Sequence, residues 1–407
     1  MPITREGLSP GQRVAWYRVR RGMSQEVLAG LIGRTADWLG KIENDRAPLD
    51  RLSVIRSLAD ALDVSVLDLI DEGTDQQAKS GHDLEVQRVR SALLDSQQLS
   101  PLLARLRGDS KPPDLRALRR DIDYVMSAYQ ASAYGRMLRR LPDLLTRTHA
   151  ATYEYGGDEQ VTAQRLSALA NQAAATILTK LGETDLAWIS AQRGLKAAEQ
   201  SGDDAIIGSL FRSVVHSLHS HQQPQASAEM TQQAADYIHD RMDWSSPNML
   251  SIYGTLLLAG AVAAARSDDR LTTKAYLDEA QQAADRQGTD CNHLWTAFGP
   301  TNVSVHRVVT AMALGDVGIA LDIGPRIDTS TLPVERRVRH AFEVANAHLR
   351  RNQQEDALAQ LLKAERLSAE QVHHHVIPRQ LVARMLRHKA GKQDQRLGEL
   401  ARRMKLL

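Results

Sequence analysis

The stretch GQRVAWYRVRRGMSQEVLAGLIGRTADWLGKIENDRAPLDRLSVIRSLADALDVSVLDL, residues 11–69, decides how the first part of the chain folds. Val14, Tyr17 and Val19 give a first helix an apolar side, and Ser24 followed by Val27 is the start pattern of a second. Leu28 and Ala29 face inward on that second helix, Ala29 being small because a third helix crosses close by. Gly33 stands at the turn, where a left-handed backbone is cheapest without a Cβ, and Thr35 is placed to cap the third helix. Leu39 and Ile42 bury one side of this helix and leave Ala36, Asp37, Lys41 and Trp38 on the other. The expected product is a five-helix unit over residues 1–72 with one polar helix face turned outward.

Beyond it the chain stays helical in period, and alternating Val/Ile/Thr runs with tight Asn-Gly or Asp-Gly turns are missing, so the expected fold class is all-α. Residues 73–83 (GTDQQAKSGHD) are polar with two glycines and read as a linker. Residues 107–114 (RGDSKPPD) form a second break after a short helical segment, because Pro112-Pro113 cannot continue a helix. The predicted division is therefore 1–72, a linker with a short helical segment over 73–114, and a main domain over 115–407.

Within that domain, breakers recur at 156–158, 201–203, 245–247, 288–290 and 331–333, about 43 to 45 residues apart. Secondary breaks fall between them at 181–183, 221–224, 267–269, 314–316 and 351–353, so each unit splits into two helices. Such a hairpin can bury its apolar stripe only against its neighbours, and five or six of them stack into an α-solenoid with a concave surface. The pattern resembles tetratricopeptide repeats, with Ala187, Ala228, Ala275, Ala320 and Ala357 as the small residues opening each second helix. It departs from them in unit length, about 34 residues being usual, and in lacking most of the hallmark aromatics.

Charge and composition narrow the function. The 407 residues carry a formal net charge of only +2, which excludes a uniformly basic nucleic-acid coat and makes any DNA contact a matter of local placement. A single cysteine, Cys291, excludes an intramolecular disulfide, and no charged-then-apolar secretory pattern opens the sequence, so a cytoplasmic location is expected. The longest apolar run, residues 254–265 (GTLLLAGAVAAA), is shorter than the roughly 20 residues that span a bilayer, and no membrane partner is expected.

Residues 11–70 resemble the Cro/cI-type (XRE) helix-turn-helix family. The resemblance rests on the S-Q-E-x-L-A-x-x-x-G pattern of residues 24–33, the I-E-N of residues 42–44 and the L-A-x-x-L of residues 58–62. It implies that the third helix enters the major groove of a double-stranded DNA operator, with Ala36, Asp37 and Lys41 facing bases. Gln25 would fix the protein on the phosphate backbone, and Arg34, Thr35, Trp38 and Arg46 would lie at phosphates or the groove edge. Elementary chemistry agrees: helix N-termini offer free N–H groups to phosphate, and a lysine can donate to guanine O6 or N7. Trp38 and Asp45 depart from the Ser/Thr and Gly usual in the family. Two readings stay open for Asp37, acceptance from cytosine N4 or complementing the helix dipole. Trp38 is open between a thymine methyl or sugar and packing against neighbours; Arg18, Arg20 and Arg21 are open between phosphate contact and an ordinary exposed face. Glu43 is expected to be a structural partner for an arginine.

A helix-turn-helix head joined to tetratricopeptide-like hairpins resembles peptide-pheromone quorum-sensing regulators. It also resembles actinomycete regulators of similar layout, which suits a chain whose 51 cationic residues are mostly arginine. The resemblance implies a ligand-gated homodimer that binds a peptide or small-molecule signal in the groove. Asn171, Asn302 and Asn346 on first helices could hold a peptide backbone, and Arg165, Arg212 and Arg307 an anionic ligand. The rival is a DNA-tethered scaffold whose solenoid binds a partner protein. No P-loop, dinucleotide glycine pattern, nucleophile elbow or zinc-protease motif occurs, so neither an enzyme nor a cofactor is expected. Nor is a metal: His373, His374 and His375 point about 100° apart on a helix, and His216 and His219 read as solvated surface residues without a third ligand. The basic end, from Arg384 to Lys405, reads as the polar face of a capping helix.

Overall fold

The breakers of the sequence fall at helix ends in the structure, a computed structural model that describes residues 9–47, 49, 52–62, 69, 83–95, 112–221, 223–387 and 394–407. Among these residues there is no strand, only an isolated antiparallel bridge between Cys291 and Phe298. The chain divides into units 1–79 and 80–407.

The first unit holds α1 (Pro10–Arg20), α2 (Gln25–Leu31), α3 (Ala36–Glu43) and α4 (Leu52–Leu62). Of the expected fifth helix only Leu69 is described, buried in the core, and of the linker expected over 73–83 only Asp83, which begins the next helix. Each early helix begins on the cap its sequence announces. The Ser24 hydroxyl accepts from the Val27 N–H at 3.2 Å and Thr35 from that of Trp38 at 3.3 Å. Ser9 and Gln12 form a capping box at α1. Gly33 takes φ +66° at the turn between α2 and α3. At Gly11 a Cβ would stand 1.9 Å from the Ile42 carbonyl oxygen, so α1 and α3 touch there backbone to backbone. Val14, Leu28, Ala29, Leu39, Ile55, Leu58 and Leu62 make the core. One expectation fails: Val19 is 65% exposed while Arg13 is buried, because the buried side of α1 runs through Val14 and Tyr17 and turns away before Val19.

The second unit opens with α5 (Asp83–Leu93), which adds Val86, Val89 and Leu93 to the solenoid core and pairs Arg90 with Glu183 at 2.8 Å. Six helical hairpins follow. They are α6 (Leu115–Gln130) with α7 (Tyr134–Glu154), α8 (Gly157–Leu181) with α9 (Thr184–Ser201), and α10 (Asp204–Ser220) with α11 (Pro224–His239). Then come α12 (Pro247–Arg266) with α13 (Arg270–Gln287), α14 (Pro300–Ala313) with α15 (Val317–Ile323), and α16 (Val334–Arg350) with α17 (Gln354–Leu367). α18 (Ala369–His374), α19 (Val376–Arg387) and α20 (Gln395–Arg403) close the array. α20 buries Leu397, Leu400 and Ala401 and turns Arg403 to a bidentate pair with Glu365, as expected of a capping helix. Lys389 and Lys392 of the basic end lie outside the described residues.

A small residue opens the second helix in five of the six hairpins, and at two of the five it is not the alanine expected. At the fourth residue of the helix stand Ala187, Ser227, Thr273, Ala320 and Ala357, all buried. Ala228 is only half-buried and Ala275 is exposed. A serine and a threonine serve where alanine was expected because each hydroxyl finds a backbone carbonyl, Ser227 that of Val215 at 3.3 Å and Thr273 that of Asp269 at 2.6 Å.

The connection between α13 and α14 is longer than the other turns. Over residues 288–299 it carries Leu294, Trp295 and Ala297 at positive φ and drives Phe298 into the core. The Phe298 ring occupies the space a Cβ at Gly254 would need, 1.9 Å from its Cζ. Gly254 belongs to α12, whose 20 residues are long and apolar enough to cross a membrane but are nearly all buried inside the solenoid.

The array also winds until its ends meet. Ser132 donates to Gln371 Oε1 at 2.6 Å, the Gly135 N–H to Glu370 Oε1 at 2.5 Å, and Gln130 and Asn292 exchange amide hydrogen bonds at 2.8 Å. The concave surface is thus the inside of a closed turn. Polar side chains point into it from the first helices. His216 and His219, expected to be solvated, are half-buried there, and burial brings His219 down to about 3. His306 is brought to about 3 by burial and the charge of Arg336. His373 hydrogen-bonds Glu365 at 2.7 Å while His375 is buried beside the Phe342 ring, so neighbouring histidines serve different contacts.

Two outcomes are expected. Gly254→Ala, by overfilling the Phe298 site, should cost about 1–3 kcal/mol in urea unfolding of the full chain. His219 and His306 have folded values below their unfolded ones, so the stability they contribute is complete above pH 6.5 and declines as pH falls towards 3. At pH 5 the loss should be about 2 kcal/mol for each, seen as a lower urea midpoint than at pH 7. Equal midpoints would show that these rings are protonated in the folded protein.

Candidate nucleic-acid interface and inner chamber

In the first unit, α3 is held by charge as well as by packing. Arg18 on α1 grips the buried Glu43 carboxylate with two donors, Nε at 2.6 Å and Nη2 at 2.8 Å, and Gln25 Nε2 donates to the same carboxylate at 2.7 Å. Arg18 Nη1 also donates to the Met23 carbonyl at 2.8 Å. One carboxylate at the end of α3 therefore ties down α1 and α2, a bidentate arrangement stronger than an exposed pair. This is the structural arginine expected for Glu43. Gln25 is committed to the same network, with Oε1 over Gly40 and one amide N–H left to donate outward.

The network leaves the opposite face of α3 free. Asp37 and Lys41 are exposed and pair with each other at 2.7 Å, so the lysine can exchange its neighbour for another acceptor at little cost. Thr35 is exposed and Ala36 half-buried at the capped N-terminus. Trp38 is half-buried against the core with the Arg34 guanidinium 5.6 Å from its ring, which favours the packing reading of that side chain. Arg46 is exposed just beyond α3. Asp45 adopts φ +56°, a left-handed conformation that glycine adopts most readily, and its carboxylate accepts from the Ser9 hydroxyl at 2.5 Å.

In the second unit, the ring interior holds a chamber. Two adjoining clefts, about 340 and 460 Å³ including space open to solvent, share Tyr129, Thr176, Arg212 and Arg336. Lys180 and His216 line the larger and Trp295 and Glu335 the smaller. Lys180 Nζ lies 2.9 Å from the fully buried Glu335 carboxylate, and Arg336 Nε 3.7 Å from it. Burial alone would raise that carboxyl, but Lys180 and Arg336 hold it well below the usual range. Burial, and next the charge of Arg336, bring Arg212 down to about 10, so it remains a cation at neutral pH.

Of the residues singled out in the sequence, Arg212 is in this chamber. Asn302 is fully buried with both amide atoms lacking a protein partner. Asn171 is buried, donates to the Ser167 carbonyl at 2.9 Å, and faces Gly194 of α9, inside its own hairpin. Asn346 and Arg307 are half-buried. Arg165 is exposed and pairs with Asp203 at 3.3 Å. Sequence reasoning missed Tyr129, Lys180, Glu335 and Arg336. A signal existed in Gln172, Thr176 and Lys180 on α8 and in Ser209, Ser213 and His216 on α10, polar stripes at helical spacing on otherwise apolar helices.

Comparison with known proteins bears on the two units unequally. No curated protein matches the chain. Among solved structures it is similar to a Rap protein complexed with competence and sporulation factor, at 14% identity and TM-score 0.48 over 89% of this chain and 98% of that one. It is similar to PlcR of Bacillus thuringiensis in complex with the peptide PapR7 and DNA, at 12% identity and TM-score 0.32 over 90% and 97%. ComR of S. thermophilus, in complex with DNA and its signalling peptide ComS, gives 13% and 0.28 over 88% and 99%. Likenesses at this level carry no argument about what the chain does. The first unit is different: a family model described as a helix-turn-helix domain matches residues 11–72. With two capped helices joined through Gly33 and a free polar face on the second of them, residues 11–72 form a helix-turn-helix domain.

Proposed function

We propose that the protein is a sequence-specific DNA-binding transcription regulator that acts as a cytoplasmic homodimer, its helical-repeat unit supplying dimerisation and binding a signal. The observation that carries this reading is the division of labour on α3. One side is locked to α1 and α2 through Glu43, and the other presents Asp37 and Lys41 with no structural task beyond each other. A rigid helix with an uncommitted polar face is what reading base edges in a major groove requires. Arg34 and Arg46 flank that face and suit phosphates, which set register while bases set sequence.

The signal-binding half of the reading is supported by the ring interior. Among the groups lining it, Arg212 Nε is buried without a protein partner and costs stability unless something else satisfies it. An interior of this kind suits a polar ligand, and a ring whose ends are joined by a few hydrogen bonds can change shape when one binds.

The test is selection of genomic fragments with the purified full-length protein, with and without culture supernatant. A two-fold-symmetric site whose enrichment the supernatant alters is expected. A specific site indifferent to supernatant would favour a protein partner for the solenoid, and no specific site at all would sink the proposal. In the same assay Lys41→Ala should relax preference at one base position and cost about 1–3 kcal/mol there. Arg46→Ala should instead weaken all sequences alike and reduce the salt slope by about one. Unchanged selected sequences in Lys41→Ala would remove that residue from base reading.

A further inference from the structure

The chamber is more cationic than the fold needs. Three cations, Lys180, Arg212 and Arg336, line it against one carboxylate, Glu335. Elsewhere in the interior Arg339 is matched by Glu343 at 2.5 Å. Arg212 is not: it is 9% exposed, its Nε has no hydrogen-bond partner, and among the described residues no carboxylate lies within 4 Å of it. A buried guanidinium without a counter-charge is strongly destabilising, and a core position on α10 could be filled by an apolar side chain at no such cost. The one carboxylate near it, Glu335, is already engaged by Lys180 and the Tyr129 hydroxyl, and the neighbouring His216 ring is kept neutral by burial. The walls come from α6, α8, α10 and α16, so an occupant would touch both ends of the ring.

We propose that this chamber binds the acid group, carboxylate or phosphate, of a small organic anion, with Arg212 and Arg336 as its guanidinium partners and Glu335 holding Lys180 in place. The inference rests on the reading of the helical-repeat unit as a sensor and specifies the chemistry of what it senses. Bound there, the anion supplies the missing counter-charge and bridges α10 to α16 by charge-assisted hydrogen bonds.

The experiment is calorimetric titration and thermal unfolding of the full chain at constant ionic strength. The probes are citrate, inorganic phosphate, and a short alanine peptide with a free C-terminal carboxylate; trimethyl citrate and the amidated peptide are the neutral controls. Binding of at least one anionic probe and of neither control is expected, with affinity falling roughly tenfold or more in Arg212→Gln and in Arg336→Gln. Arg336 is half-buried, so its variant keeps the test usable if the Arg212 variant does not fold. Binding confined to the free-carboxylate peptide would identify the acid group as a peptide terminus, and binding of citrate or phosphate a free metabolite; either supports the site. No binding by any anionic probe, or equal binding by wild type and both variants, overturns it. A supernatant response in the fragment selection that survives both substitutions would overturn the anion site and leave the sensor standing, whereas a chain with no response at all removes both.

Discussion

A helical hairpin has an apolar stripe it cannot cover by itself, and how closely its own two helices pack before the next hairpin covers them depends on one small residue. At the fourth position of the second helix in five of the six hairpins, Ala187, Ser227, Thr273, Ala320 and Ala357 allow the close approach; in the first hairpin Met137 stands there. Glycines do the same where the contact is tighter still. Gly194 meets Leu210, and Gly208 meets Ile252 and Ile238 at distances no Cβ tolerates. Stacked in this way, six hairpins wind far enough to bring Ser132 to Gln371.

Closure changes what the inner helices have to tolerate. On an open solenoid a concave arginine keeps its water; inside a closed turn Arg212 and Lys180 lose much of theirs, and the energetics of each then depends on its partners. Lys180 found Glu335 across the ring. The first unit solves a similar problem on a smaller scale, where Arg18 and Gln25 share Glu43 and the helix carrying that carboxylate is immobilised against its neighbours. In both places a carboxylate near one end of a helix fixes other helices, leaving nearby polar groups free for something outside the chain.

What could be read from the sequence was local. Gly33, Gly182, Gly202, Gly288 and Gly315 are at positive φ where breakers were expected, and Ser24 and Thr35 cap as their spacing implies. Register within a helix was less legible. Ala228 and Ala275 have the size of the packed residue but not its register, while Ser227 and Thr273 do not look like core residues until the carbonyl partners of their hydroxyls are known. Val19 misled in the opposite sense, as an apolar residue on an exposed face. The outward side of α3 was legible because its neighbours announce it. The chamber was not, since Tyr129, Lys180, Arg212 and Glu335 come from four helices that only the curvature of the whole array brings together.

The bonds that close the ring join residues 162 and 239 positions apart in the chain, whereas each stacking contact joins neighbours in sequence. Local pairs form quickly and distant ones wait for the intervening chain to order, so the hairpins assemble in succession and the seam is sealed last. During synthesis the segment bearing Tyr129, Lys180 and Arg212 emerges long before Glu335 and Arg336. For that interval the inner cations stay hydrated, and the chamber comes into being only when the ribosome has delivered the last hairpins.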